Sequence, residues 1–191
     1  MEMVIEVKVF TENDKNTIID LLNKDEIVAI KTDTVFGIMA RMSYENEKEI
    51  NLLKKSDSNK KISIIVENKD FLYKHVENLN VEKRKLIDEK LPGKYTFIVN
   101  LNKEFCKNKG FNRTDFGVRV TTNDFLQEII SKTGPLLASS CNITGLEPCS
   151  NTEEIVNQFK DSKLYVVAGN VTDNTPSTII SLIDEIKIIR K

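Results

Sequence analysis

The 191-residue chain carries 28 Lys and Arg against 29 Asp and Glu, a formal net charge of −1, with 40% hydrophobic and 30% charged residues and only four prolines. That balance excludes a globally basic nucleic-acid binder and a disordered chain, and the length suffices for one core burying about 70% of the unfolded surface. No apolar run approaches the roughly 18 residues of a membrane span, no basic leader opens the chain, and three cysteines without a C-x-x-C pair argue against a disulfide framework or structural zinc site. The sequence thus predicts a single domain over residues 1–191 in the reducing cytoplasm, with no membrane partner and no dedicated metal site. His75, the only histidine, reads as a solvated residue at a helix end.

Val4 to Phe10 reads as a first strand, and Thr11 with Asp14 as a capping box opening a helix whose Ile18, Ile19, Leu21 and Leu22 share an apolar face. The apolar run Ile27 to Ile30 is a buried strand ending in Lys31-Thr32-Asp33-Thr34-Val35-Phe36-Gly37. There two hydroxyls flank a carboxylate and the glycine lets the backbone turn back. Strand ends of this kind bind ligands in open α/β sheets; a self-capping Asx or ST turn is the competing reading. A helix from Glu45 to Lys55 is acidic early and basic late, so Lys54 also reads as a cation complementing the helix C-terminus. Ser56 to Lys61 is a polar loop and Ile62 to Val66 a strand. Helical periodicity returns at Asp70–Val76 and Val81–Lys90, until Leu91-Pro92-Gly93 stops it. Tyr95 to Leu101 is a strand. Asn102 to Thr114, rich in Asn, Lys and Gly, reads as an exposed loop able to serve as a lid.

Phe116 to Val120 is a strand carrying Arg119 where the apolar pattern calls for a hydrophobic residue. A buried arginine needs an anion, and a ligand carboxylate or Asp33 are the two partners considered. Asn123 or Asp124 caps a helix bearing Phe125, Leu126, Ile129 and Ile130, ended by Gly134 and Pro135. Leu136 to Ala138 runs as a buried strand into a second polar turn, Ser139-Ser140-Cys141-Asn142-Ile143-Thr144-Gly145. Asn151 with Glu154 caps a helix through Phe159, and Leu164–Ala168, Thr178–Leu182 and Ile186–Ile189 complete the strands. This alternation predicts an α/β fold of α+β type, a twisted open sheet with mixed parallel and antiparallel strands flanked by helices. Its polar strand ends offer Thr32, Thr34, Ser139, Ser140, Asn142 and Ser177 as neutral groups and Lys54 and Arg119 as cations, which suits a carboxylate or phosphate ligand. Neither G-x-x-x-x-G-K-[ST] nor G-x-G-x-x-G occurs, so a nucleotide would be held by neither a Walker loop nor a Rossmann turn.

In order along the chain stand Lys31-Thr32-Asp33-Thr34-Val35-Phe36-Gly37, a helix ending in Lys54, Leu91-Pro92-Gly93-Lys94-Tyr95-Thr96, Gly117-Val118-Arg119-Val120, Ser140-Cys141-Asn142-Ile143-Thr144-Gly145 and Ser177-Thr178-Ile179-Ile180. This succession resembles the YrdC-like family of threonylcarbamoyl-AMP synthases, in its short form without a further C-terminal domain. The resemblance implies a twisted sheet with a large concave cavity. It also implies an enzyme joining L-threonine, bicarbonate or CO2, and ATP, with Mg2+ on the phosphates, for threonylcarbamoyladenosine modification of tRNA. It assigns threonine contacts to Thr32, Arg119 and Ser177, nucleotide contacts to Lys54, Thr96, Ser140 and Asn142, and the catalytic cations to Lys54 and Arg119. tRNA and tRNA-modification proteins are the macromolecular partners it suggests. Four positions depart from the family pattern: Ser56 and Asp57 stand where Arg-Pro is usual, Lys31 replaces a proline, and Cys141 a small residue. The missing arginine motivates the alternative of a non-catalytic RNA- or partner-binding module of the same fold, and Lys55, Lys60 and Lys61 are the candidates to replace its charge.

Overall fold

The computed structural model describes residues 6–172 and 175–191; Val4 and Ile5 of the predicted first strand lie outside them. Strand β1 (Val7–Phe10) leads to the expected cap, in which the Asp14 carboxylate accepts the Thr11 N–H at 2.8 Å, and a 3-10 turn (Glu12–Asp14) runs on into α1 (Lys15–Asn23). The remaining elements are β2 (Val28–Lys31), β3 (Phe36–Arg41), α2 (Tyr44–Leu53), β4 (Ser63–Val66), α3 (Asp70–His75), α4 (Val81–Lys90), β5 (Tyr95–Asn100), α5 (Lys103–Asn108), β6 (Asp115–Val120), α6 (Asp124–Thr133), β7 (Leu136–Ser140), α7 (Thr152–Gln158), β8 (Leu164–Val167), β9 (Thr178–Ser181) and β10 (Lys187–Arg190). Among the described residues the strands form one sheet in the order β1-β8-β2-β3-β7-β4-β6-β5-β9-β10. Pairs β1–β8, β2–β8, β4–β6 and β5–β9 are parallel; β2–β3, β3–β7, β4–β7, β5–β6 and β9–β10 are antiparallel. The sheet is therefore mixed, as the sequence predicts.

Alternation along the strands sends successive side chains into two cores on opposite faces. Ala29, Ile38, Ile64 and Val118 belong to the larger core, while Val28, Ile30, Met39 and Ile65 meet Ile18 and Leu22 of α1 and Leu126, Ile129 and Ile130 of α6 in the second. Helices α1 and α6 cover only part of this second face. Farther along it β7 passes from Leu136 to Ala138 to Ser140 and β4 from Ile65 to Ser63, so the core pattern gives way to small polar residues and leaves a concavity.

Three local expectations are corrected. Phe36 and Gly37, taken in the sequence as part of the turn, instead open a full strand, Phe36–Arg41, pairing with both β2 and β7. Asn102 to Thr114 is no exposed lid. Asn102 caps α5 through the Phe105 N–H at 3.1 Å, Cys106 and Phe111 are buried, and Arg113 bonds the buried Glu47 of α2 at 2.5 Å. Two buried apolar residues in a polar segment are enough to pin it. That same helix brings Phe105 to 4.4 Å from His75, which also stacks on Phe71 at 4.6 Å, so the histidine is half-buried and its imidazolium form is disfavoured by burial.

Candidate active site

The β2–β3 hairpin closes through Thr32 to Val35, with the Thr32 N–H bonded to the Val35 carbonyl at 3.1 Å. The Thr32 hydroxyl donates to that carbonyl at 2.7 Å and accepts the Thr34 and Val35 N–H groups at 3.0 and 3.2 Å. Its bonding capacity is spent on the turn itself, the self-capping arrangement that competes with ligand binding at such a motif. The tip then leans across the ends of β7 and β4 to β6. Asp33 accepts a hydrogen bond from Thr121 at 2.7 Å, and Thr34 accepts one from Arg119 Nη1 at 2.5 Å.

Arg119 is therefore held from one side. Its Nη2 stands 2.7 Å from Asp33 Oδ1 in a buried ion pair, while the buried Nε of Arg119 and Oδ2 of Asp33 have no hydrogen-bond partner among the described residues. Burial raises the Asp33 carboxyl, but Arg119 and Thr121 outweigh it and hold the group below the usual range; burial likewise lowers the Arg119 guanidinium, against the opposing pull of Asp33. Both ions persist at neutral pH, and the arginine keeps its Nε–H without an acceptor.

Thr32, Thr34, Thr96, Arg119, Ser140 and Ser177 line one cavity of about 400 Å³, together with Ser63, Ser139, Lys60, Lys61 and Arg190. Thr96 and Ser177 share a hydrogen bond at 2.8 Å between β5 and the segment entering β9. Gly117 leaves the space they need. A Cβ there would sit 2.4 Å from Ser63 Oγ and 3.0 Å from Thr96 Cγ2.

Lys54 and Asn142, predicted at the site, are not in the cavity wall but behind it. Lys54, 2% exposed, caps the end of α2 and donates to the carbonyls of Ser140 and Asn142 and to Asn142 Oδ1, the last two at 2.7 and 3.1 Å. Asn142 accepts the Ser140 hydroxyl at 2.7 Å and donates to the Ile143 and Leu146 carbonyls at 3.0 and 2.8 Å, so ammonium and amide together set the shape of the polar turn after β7. Burial pushes the Lys54 ammonium down to about 8. Cys141 and Cys149 lie beside it, buried and unbridged; a hydrogen bond between the thiols, with burial adding to it, drives Cys141 well up, and the same bond draws Cys149 down.

The family model Sua5_yciO_yrdC, described as Telomere recombination, matches residues 20–191. The chain belongs to the Sua5/YciO/YrdC family. It is 30% identical over 160 residues, 81% of this chain and 83% of the relative, to a protein of Yersinia enterocolitica named threonylcarbamoyl-AMP synthase. Among solved structures it resembles YciO of E. coli, with a TM-score of 0.80, 20% identity, and coverage of 100% of this chain and 96% of that one. It also resembles P. abyssi Sua5 complexed with L-threonine, with a TM-score of 0.79 and 19% identity over 95% of this chain and 54% of that longer one. At such identities the structures establish the shared fold.

Within this Sua5/YciO/YrdC member the departures from the motif pattern have visible outcomes. The Ser56 hydroxyl bonds that of Thr144, tying the loop after α2 to the turn after β7. Lys31 stays out of the cavity wall, its stem running toward Gly169. Arg190 is a wall residue that the sequence reading passes over. It pairs across from Ile179 and donates to the Ser177 carbonyl at 2.8 Å. The signal was present as a charged residue continuing the last apolar run, but the strand was ended one residue short of it.

Proposed function

We propose that this chain is a nucleotidyltransferase that forms threonylcarbamoyl-AMP and pyrophosphate from L-threonine, bicarbonate or CO2, and ATP. The observation that carries the reading is Arg119, a buried guanidinium at the cavity wall, braced by Thr34 at Nη1 and Asp33 at Nη2 and with its Nε–H still lacking an acceptor, a cation positioned for a ligand carboxylate. The named activity of the Yersinia relative and the threonine bound to the Sua5 protein support the choice of carboxylate.

The threonine carboxylate approaches Arg119 from its Nε side, while Thr34 and Asp33 hold Nη1 and Nη2. The Ser177–Thr96 pair stands nearby for the amino acid and the nucleotide. The amine combines with CO2 as a carbamate, whose oxygen attacks the α-phosphorus; the new O–P bond forms as the bond to the β-phosphate oxygen breaks and pyrophosphate leaves. Three anionic groups must approach one another, so catalysis is positioning and charge neutralisation. Ser140 meets the nucleotide at the wall, and Lys54 and Asn142 act by holding the turn that presents it. Thr32 contributes through the shape of the hairpin. Among the described residues no group of three or more His, Cys, Asp or Glu stands ready for a metal. In this reading magnesium arrives on the phosphates of ATP as part of the substrate, where it would neutralise their charge.

Incubation with ATP, threonine, bicarbonate and magnesium tests the reading: pyrophosphate release that requires threonine and bicarbonate supports it, and release independent of threonine removes it. Changing Arg119 to Met should weaken threonine binding by about 10- to 100-fold, the loss of a charge-assisted contact.

A further inference from the structure

Cys141 and Cys149 form a pair that the proposed reaction does not use. Both are buried and unbridged, and the Cys149 N–H donates to the Cys141 carbonyl at 2.8 Å, closing the base of the polar turn after β7. A backbone bond of this kind sets two Cα atoms about 5–6 Å apart, inside the range that a disulfide spans. The thiols meet across that base, the Cys141 S–H donating to the Cys149 sulfur, with the Lys54 ammonium beside both. A hydrogen-bond donor and a cation both favour the thiolate of Cys149, the nucleophilic form of a cysteine. Each cysteine directly follows a cavity-wall residue, Ser140 before Cys141 and Pro148 before Cys149, so the pair lies one residue behind the wall. The third cysteine, Cys106, is buried on α5, where burial pushes its thiol up.

We propose that Cys149 and Cys141 are a modification site for hydroperoxides, a dithiol whose oxidation to a disulfide displaces the turn after β7 and weakens nucleotide binding. The effect on the nucleotide rests on the proposed reaction, in which Ser140 meets ATP. The Cys149 thiolate attacks a hydroperoxide oxygen: the S–O bond forms, the O–O bond breaks, and hydroxide or an alkoxide leaves. The Cys141 sulfur then attacks the sulfenic sulfur of Cys149. The S–S bond forms, the S–O bond breaks, and hydroxide leaves as water with the Cys141 proton. The two sulfurs together lose two electrons, the peroxide gains them, and a dithiol reductant restores both thiols. Closing the two sulfurs to about 2.0 Å draws Cys141 across the base of the turn. Ser140 and Asn142 on either side of it are dragged along, against the hold of Lys54 on their carbonyls.

Treatment of the whole protein with hydrogen peroxide, followed by alkylation in denaturant and peptide mass spectrometry, tests the pair. The expected product is a Cys141–Cys149 cross-link that dithiothreitol reverses, with Cys106 still open to alkylation. By calorimetry the oxidised protein should bind MgATP about 5- to 10-fold more weakly, the worth of one or two hydrogen bonds at the turn, and threonine within about twofold of the reduced form. Cys141→Ala should form no cross-link, let dimedone trap the Cys149 sulfenic acid, and keep its MgATP affinity within about threefold after peroxide. Free thiols at both positions after peroxide, or a cross-link that forms only in urea, overturn the assignment. So does a cross-linked protein whose MgATP affinity is unchanged. A reduced wild type that binds no MgATP overturns the proposed reaction instead, and the mass spectrum still decides the cross-link.

Discussion

Lys54→Met separates two ways in which a buried lysine can serve a nucleotide site. Methionine keeps the stem and removes the ammonium, so the carbonyl oxygens of Ser140 and Asn142 lose their donor, while Asn142 Oδ1 retains the Ser140 hydroxyl. Two orphaned acceptors cost about 1–3 kcal/mol each. Release from burying a charge, the cause that pushes the Lys54 ammonium down to about 8, offsets part of this. The net expectation is a loss of about 2–4 kcal/mol, and a chain of this size loses about 2–4 °C of Tm per kcal/mol. The melting temperature, read by circular dichroism, should fall by roughly 4–16 °C, and MgATP affinity should fall with it because the turn loosens. Linkage adds a pH signature. The unfolded lysine titrates near about 10.4, so between pH 8 and 10 the unfolded chain binds more protons than the folded one, and wild type should gain stability over the variant as pH rises through that window. A variant as stable as wild type that nonetheless loses MgATP would show the ammonium acting on the ligand directly and would refute the indirect role.

Arg113→Met strips the guanidinium from Glu47, whose carboxylate still accepts the Ile62 N–H at 2.9 Å, and should cost about 3–4 kcal/mol in urea unfolding with threonine affinity unchanged. Gly117→Ala should cost about 1–3 kcal/mol in the same measurement and weaken both substrates, because the new methyl group meets Ser63 at the cavity floor. The Asp33 carboxyl, held below its ordinary value when folded, contributes stability above about pH 4 that is lost as pH falls through the lowered value. Wild type should therefore lose more stability than Asp33→Asn between pH 5 and 3, by denaturant titration at each pH.

The order of strands and helices was legible because most strands are short apolar runs bounded by turn residues, and α2, α4, α5, α6 and α7 open on side-chain caps such as Asn123 and Asn151. What sequence missed was decided by long-range contacts. Phe36 to Arg41 is apolar and short, and its identity as a strand rests on neighbours on both sides, one of them about a hundred residues away. Asn102 to Thr114 looks soluble, yet Cys106, Phe111 and the Arg113–Glu47 pair anchor it. At the site, the motifs located the wall residues Thr32, Thr96, Arg119, Ser140 and Ser177 but not the direction in which each group is spent. Residue type cannot show that the Thr32 hydroxyl is saturated by its own turn, or that the ammonium of Lys54 faces a backbone instead of the cavity. Arg119 was the most informative single residue, since a charge inside an apolar strand demands an anion wherever the strand lies.

The account rests on a wall of polar strand ends holding an amino acid beside a triphosphate, and the most direct measurement follows threonine's carbon. With ATP, magnesium and 14C-labelled threonine, the protein should form a product carrying both the label and AMP, in a one-to-one ratio with pyrophosphate and only when bicarbonate is supplied. Label that stays in free threonine while ATP is turned over, or a product that forms equally well without bicarbonate, would contradict it.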